Sequence, residues 1–292
     1  MLLDELDVRQ RAMAFVAAHR DASGGVITRA QLEDFTYEGE QLKLIDQSRG
    51  IRNPRQLAAT LTILSQPGGP YDDAETDDGL IRYAYRTGAP DSGDNRKLRR
   101  AAELGLPLIL LRGIRPGVFV PVFPVYVVND DPVARCVELA VDESLRFLAA
   151  APPTPDTRAY AERLTHMRLH QPVFRAQVLQ AYGACTICRL KHVDLLDAAH
   201  IRSDADGGQP VVTNGLAMCK IHHAAYDRGI LGIRPDLVVE IRPDVLLEVD
   251  GPMLKHGLQD VHGWRLGLPP RAADHPSRTA LHERYASFVA RL

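Results

Sequence analysis

Cys185-Thr186-Ile187-Cys188 and Cys219-Lys220-Ile221-His222 are the two stretches whose reading decides the C-terminal half of this chain. The first is a C-x-x-C knuckle and the second a C-x-x-H knuckle. Each presents two ligands from one tight turn, so together they complete a closed site. Three thiolates and one imidazole suit tetrahedral, structural Zn²⁺. The plainer alternatives are a redox pair at Cys185 and Cys188, or coincidence. Four ligands at knuckle spacing argue against both. The remaining cysteine, Cys136, stands alone and reads as a buried structural thiol.

Between the knuckles stand Asp197-Ala198-Ala199-His200-Ile201 and then Asn214-Gly215-Leu216; directly after them come His223 and Asp227. Two short strands, Leu195 to Ile201 and Val211-Val212, and a helix from about Cys219 to Arg228 are expected. On that helix His223 and Asp227 are four residues apart and share a face, so both can reach one divalent ion. Taken singly, each residue has a bland reading. A lone His in a hairpin is packed or exposed, Asn-Gly is a turn, and Asp227-Arg228-Gly229 ends a helix. Their order around a metal frame is what carries the functional reading.

That order, His, Asn, His, resembles the zinc-knuckle subclass of the HNH, or ββα-metal, endonucleases over about residues 168–233. D-A-A-H-I and N-G-L-A-M-C-x-x-H-H-x-A-Y-D-R-G-I carry the resemblance. It implies phosphodiester hydrolysis, which needs an activated water, a Lewis acid on the phosphate and help for the leaving oxygen. His200 would be the general base, an imidazole being suited to proton transfer near neutral pH. Asn214 would orient His200 or its supporting loop. His223 and Asp227 would hold a catalytic Mg²⁺ or Mn²⁺, with Arg228 adding positive charge near the phosphate. One position departs from the family: where many members carry a metal-binding Asp or His before the base, this chain has Ala199. Asp197 is then the candidate replacement ligand, since on a strand it shares the face of Ala199. The departure also leaves open a DNA-binding protein with an inactive HNH fold.

The first half carries a second, looser resemblance, over about residues 45–130. Its motifs are Gly68-Gly69-Pro70-Tyr71-Asp72-Asp73, Leu80-Ile81-Arg82-Tyr83, Asp94-Asn95-Arg96-Lys97-Leu98, Pro107 to Gly113 and Val122 to Val128. Their order is similar to the SRA (YDG) domain, a PUA-like module that reads 5-methylcytosine by flipping it from the duplex. The resemblance implies that Tyr71 and Tyr83 stack on the flipped base and that Asp73 accepts from cytosine N4. Arg96, Lys97, Arg99 and Arg100 would grip phosphates. Ala84, where the family often has Thr, leaves room for a bulkier group such as hydroxymethyl. Residue by residue, these too have bland readings: a polar turn at Tyr71-Asp72-Asp73, a core strand at Tyr83 and a solvated helix face at Arg96 to Arg100.

The bulk properties set the frame. The chain has 292 residues, 45% hydrophobic and 25% charged, with a formal net charge of −2, as in an ordinary globular protein. Near-neutrality argues mildly against nucleic-acid binding, but the charge is patchy. Residues 72–78 are acidic, whereas Arg96 to Arg115 and Arg158 to Lys191 are locally basic. No apolar run is long enough to span a bilayer. The N-terminus lacks a basic region followed by an apolar one, which favours the cytoplasm. Helices are expected over 5–20, 28–35, 95–104, 142–151, 157–166, 172–182 and 279–292, with strands in 57–64, 81–85, 106–111, 118–128 and 237–250. The two prolines within Val118 to Val128 suggest an edge strand or a bulge.

The expected fold class is α+β. Residues 1–35 would form an N-terminal helical segment, 36–150 a mostly β SRA-like domain and 151–292 the zinc-bound HNH domain with a C-terminal helix, with Pro152-Pro153-Thr154-Pro155 as the break. The function expected is a modification-dependent restriction endonuclease acting on double-stranded DNA with modified cytosine, either 5-methylcytosine or 5-hydroxymethylcytosine. An HNH nuclease of other specificity is the alternative. Cutting both strands takes two active sites or two visits, so a homodimer is expected, with residues 5–35 or 279–292 at its interface.

Overall fold

The computed structural model describes residues 4–47, 49–66, 74–76, 78–149 and 154–292. It divides into two compact units, residues 1–173 and 174–292. Both helices and strands occur in each, as the α+β class requires. The helix that follows the proline break, Pro155–Thr165, falls in the first unit, and the division lies beyond it.

The first unit begins with α1 (Glu5–Ala22), whose carboxylate cap Asp4 accepts from the amides of Leu6 and Asp7. Its apolar stripe, Val8, Ala12 and Val16, is fully buried in the unit's own core. Arg9 is buried with them, and its guanidinium donates to the carbonyls of Thr60 and Pro107 at 2.7 and 2.8 Å and to Glu5 at 2.8 Å. Residues 5–22 are thus packed into this unit rather than standing apart. Next come β1 (Ile27–Thr28), the boxed helix α2 (Arg29–Glu33) and the hairpin β2 (Thr36–Tyr37) and β3 (Glu40–Gln41).

The main sheet uses β4 (Ile51–Arg52), β5 (Thr62–Ser65), β6 (Ala74–Glu75), β7 (Ile81–Ala84), β8 (Leu108–Arg115), β9 (Val118–Asp131) and β10 (Cys136–Ala140). Among the described residues its order is β4-β5-β8-β9-β10-β7-β6, with β1 also pairing with β9. Only β5 and β8 run parallel; the other pairs are antiparallel. The parallel pair takes its crossover through α3 (Gly93–Glu103), which lies between them in sequence. β8 is apolar on both faces because it is covered on both. β9, the proline-bearing strand, is central and not an edge. Pro124 is accommodated by an interruption: Leu108 pairs with Val125 but Leu110 with Val122, so Phe123-Pro124 sits at a bulge, while Pro121 stays in register opposite Leu111. The segment expected as a helix over 142–151 is a 3₁₀ turn at Glu143–Ala149. α4 (Pro155–Thr165) follows, with Thr154 as cap and Pro155 in its first turn. Instead of stopping before Pro172, the chain continues through one π turn, His166–His170, into α5 (Gln171–Tyr182).

The second unit is built on β11 (Leu196–His200), β12 (Gly215–Cys219) and α6 (Lys220–Asp227), two strands and a helix in succession. α5, ended by Gly183 at φ 70°, packs Phe174 and Val178 against this hairpin. The second strand lies four residues beyond the expected Val211-Val212, which is part of a 3₁₀ turn, Val212–Asn214. Gly215 explains the shift. A Cβ there would come within 2.4 Å of Val178 and 2.9 Å of Phe174, so only glycine lets β12 start against α5. A hairpin of β13 (Leu231–Ile233) and β14 (Val239–Ile241) follows. The strand reading then ends early, because Pro243 opens α7 (Pro243–Leu247). α8 (Pro252–Gly257) and α9 (Arg278–Val289) complete the unit. α9 buries Ala280, Leu281 and Phe288, so its apolar face serves this unit's own core.

Candidate active site and metal frame

The knuckles do converge. Cys185, Cys188, Cys219 and His222 place one sulfur or nitrogen each within 4.8 Å of one another. The first knuckle is shaped by its backbone: Arg189, at φ 67°, turns so that its amide donates to the Cys185 carbonyl at 3.1 Å. Thr186 between the cysteines is buried, its hydroxyl donating to Gly267 at 2.6 Å and its amide to Ala217 at 2.7 Å. His222 Nδ1 faces the sulfurs of Cys219 and Cys185 at 3.2 and 3.4 Å. Its Nε2 donates to the Gly257 carbonyl at 2.8 Å, which leaves the Nδ1 lone pair turned to the thiols. The Cys185 thiol is pulled down from its ordinary value, first by the hydrogen bond from Cys219 and against the opposing effect of burial. A set of three thiols and one imidazole, with the imidazole held by a carbonyl behind it, has the donor chemistry of a structural zinc site. The cluster can hold a metal ion such as zinc.

His200 ends β11, opposite Gly215. Its ring stacks on Phe174, centroids 4.0 Å apart and planes 17° from parallel. Nε2 lies 3.5 Å from Asp204 Oδ1. Asn214 is buried and works on the loop after His200 rather than on its ring. It accepts from the Arg202 amide at 2.9 Å and donates to the carbonyls of Arg202 and Gln209 at 3.0 Å each. Its own carbonyl takes the Ile201 amide at 2.9 Å. Asn214 thereby clamps both ends of the loop that begins at the histidine.

On α6, His223 Nε2 lies 3.2 Å from Asp227 Oδ2, the pair that helical spacing predicts. Asp227 Oδ1 is 3.6 Å from Arg284 of α9. Arg284 also donates to the Tyr226 carbonyl at 3.2 Å and lies over the Tyr226 ring at 4.8 Å. Arg228 is exposed at the C-cap of α6. Asp197 is on the other side of His223, with Oδ2 3.7 Å from Nδ1. Its Oδ2 also takes the Lys220 ammonium at 2.8 Å, and its Oδ1 faces Arg175 at 3.5 Å. Burial alone would raise this carboxyl, but the Lys220 hydrogen bond and the charges of Lys220, His223 and Arg175 outweigh it and hold it below the usual range. Asp197 and Asp227 thus address opposite nitrogens of one ring. Among the described residues, the knuckle cluster is the one group of three or more ligand atoms that meet within 4.8 Å.

Sequence reading did not single out Phe174, Lys220, Gly257 or Arg284, and took Arg175 only as part of a basic stretch. Phe174 and Val178 have helical spacing toward the hairpin, a signal that was available. Nothing local marks Gly257 or Arg284, which arrive from far along the chain.

In the first unit, Tyr71 and Asp73 lie outside the described residues. Tyr83 is 2% exposed on the inner face of β7, and its hydroxyl donates to Leu64 and Gly50 at 3.1 and 3.3 Å. Strand alternation turns Ile81 and Tyr83 inward and Arg82 outward. Tyr83 is therefore a core residue and not an open stacking face. Lys97 donates to the Pro54 and Leu57 carbonyls at 2.8 and 2.6 Å, and burial lowers its pKa. Arg99 pairs with Asp130 and Asp91, and Arg100 with Glu103. Arg96 is exposed on α3. Lys97 is thus committed to carbonyls within the unit, whereas the Arg100 pair is an exposed one.

Residues 185–234 match the HNH endonuclease family. No curated protein is significantly similar in sequence. Among solved structures, the modification-dependent TagI restriction endonuclease is 20% identical, with 83% of this chain and 86% of that one covered and a TM-score of 0.31. The type IV phosphorothioation-dependent restriction endonuclease ScoMcrA is 17% identical, with 60% of this chain and 51% of that one covered and a TM-score of 0.25. The identification rests on the family match and on the residues just described: the chain carries an HNH endonuclease domain at residues 185–234.

Proposed function

We propose that the chain is a restriction endonuclease that hydrolyses double-stranded DNA carrying a modified cytosine. The observation that carries the nuclease part is the unit of two strands and a helix, with His200 on the first strand and His223 and Asp227 on the helix. His200 accepts the proton of the attacking water at a ring nitrogen. Phe174 fixes the plane of that ring, and Asn214 fixes the loop that follows it. His223 and Asp227, 3.2 Å apart, have the oxygen and nitrogen donors that suit a hard divalent cation such as Mg²⁺ or Mn²⁺. When bound, that ion supplies a Lewis acid for the scissile phosphate and the departing 3′ oxygen. Arg228, exposed beside Asp227, gives the phosphate a further cation. Cys185, Cys188, Cys219 and His222 would hold zinc as a structural ion, outside the chemistry, tying α6 to the first knuckle.

The reader half of the proposal rests on the SRA-like order of motifs in residues 45–130. The base would be held by Tyr71 and Asp73, with Arg96 on the DNA backbone; Tyr83 would support the pocket from the core. A solvated turn at residues 71–73 would leave the nuclease without this selectivity.

The test is cleavage of matched duplexes carrying cytosine, 5-methylcytosine or 5-hydroxymethylcytosine, with Mg²⁺ or Mn²⁺, by the wild type and by His200→Ala. The reading expects cutting of modified duplexes only, lost in His200→Ala. Equal cutting of all three removes the reader, and equal activity of wild type and variant removes the nuclease site.

A further inference from the structure

We infer that Asp197 is a positioning residue, which sets the orientation of the His223 ring and does not itself bind the catalytic ion. The inference rests on the nuclease reading above. An imidazole offers a metal one nitrogen, and the proton on the other must be received by something. In protein metal sites that receiver is commonly a carboxylate, which fixes the tautomer and the ring plane. Asp197 Oδ2 stands 3.7 Å from Nδ1, while Asp227 Oδ2 stands 3.2 Å from Nε2. The ion that His223 and Asp227 share therefore belongs on the Nε2 side, and Asp197 is behind the ring.

Two further observations fit a fixed receiver and not a ligand. Asp197 is already bound by two cations, one on each oxygen: Arg175 on Oδ1 and Lys220 on Oδ2. A carboxylate so compensated has little charge left for a divalent ion. Arg175 is itself immobilised, donating to the Val193 and Leu196 carbonyls at 3.1 and 2.8 Å. It ties the carboxylate to the start of β11. Lys220 opens α6, three residues before His223, so the same carboxylate joins the base-bearing strand to the metal-bearing helix. This arrangement also bears on Ala199, where no ligand side chain is available. The substitute at position 197 supports the helix ligand from behind and does not add a ligand from the strand.

The experiment is a Mn²⁺ titration followed by electron paramagnetic resonance, on the full chain with its zinc content verified. The variants are Asp197→Ala, Asp197→Asn and His223→Ala. Loss of a receiver behind a metal-binding His costs about 10- to 100-fold in metal affinity. Asp197→Ala should therefore weaken Mn²⁺ binding about tenfold or more. Asp197→Asn, which keeps an oxygen acceptor on the Nδ1 side of the ring, should stay within about threefold of wild type by the same comparison. Asp197→Ser, whose hydroxyl is too short to reach the ring, replaces the alanine variant should that one misfold. Wild-type affinity in Asp197→Ala overturns the inference, and so does an asparagine variant as weak as alanine, which would mean that charge or direct ligation is what matters. Unchanged binding in His223→Ala would instead place the ion elsewhere and overturn the site itself.

Discussion

Replacing Asn214 with alanine removes three side-chain hydrogen bonds and little else. Asn214 is 7% exposed, and its amide group joins the Arg202 amide, the Arg202 carbonyl and the Gln209 carbonyl at 2.9, 3.0 and 3.0 Å. At a net value of about 1 kcal/mol each, their loss costs about 3 kcal/mol. That cost falls on the loop of residues 201–209, because none of the three bonds touches the knuckle cluster or the β11–β12 ladder. Since about 1.4 kcal/mol is a factor of ten, the Arg202 amide should exchange its hydrogen about a hundredfold faster. Hydrogen exchange read by NMR at Arg202, with Ile201 as an internal comparison, measures this directly. The Ile201 amide bonds to the main-chain carbonyl of Asn214 and should keep most of its protection. Zinc content should be unchanged, while DNA cleavage slows because the loop following the base is no longer held. Arg202 protection within threefold of wild type would refute the clamp. Zinc loss in the variant would refute the independence of loop and frame.

Cys185→Ser should reduce bound zinc, measured by atomic absorption, to well below one ion per chain. It should also lower the melting temperature of the second unit, since a metal that binds only the folded state stabilises it. Phe174→Leu keeps most of the buried volume and should cost about 1 kcal/mol of stability. It removes a ring contact worth about 0.5–1.5 kcal/mol, so single-turnover cleavage should slow by up to about tenfold. Asp142 gives the pH dependence. Burial alone would raise its carboxyl, but hydrogen bonds from Ser144 and the Arg168 charge outweigh burial and hold it below 3.8. A depressed folded value contributes stability above the unfolded value, and that stability is lost as pH falls through the folded one. Asp142→Asn should therefore be less stable than wild type in denaturant at pH 7, with the difference shrinking below about pH 4.

The knuckle cluster and the His223–Asp227 pair were legible in the sequence because their geometry is local. A knuckle is a single turn, and two residues four apart on a helix meet without help from the rest of the fold. The position of the second strand was not legible. Val211-Val212 has the β-branched composition of a strand, yet β12 starts at Gly215, a residue chosen by close approach to Phe174 and Val178 and not by strand propensity. Asp197 was found from the strand face it shares with Ala199, but its surroundings were not. The cations that define it, Arg175 and Lys220, come from other elements. In the first half the apolar runs marked β5, β7, β8 and β9 but not β10, and said nothing of the order β4-β5-β8-β9-β10-β7-β6. The acids and carbonyls that face Lys97, Arg99 and Arg100 were not legible, because a sequence shows charges and not what folds against them.

The Gly257 carbonyl that holds His222, and the Phe288 ring that fills the space above Gly232, have a practical consequence for anyone cutting this gene into pieces. The recognisable nuclease segment stops at residue 234, whereas the imidazole of its knuckle cluster is held by a carbonyl beyond it, and its core depends on a ring more than fifty positions further on. A fragment trimmed to the recognisable segment would expose the apolar side of the β13 strand and leave the His222 tautomer unset. It should aggregate or lose metal where a fragment running from α5 to the end of α9 stays soluble. Here the portable unit of catalysis is larger than its signature.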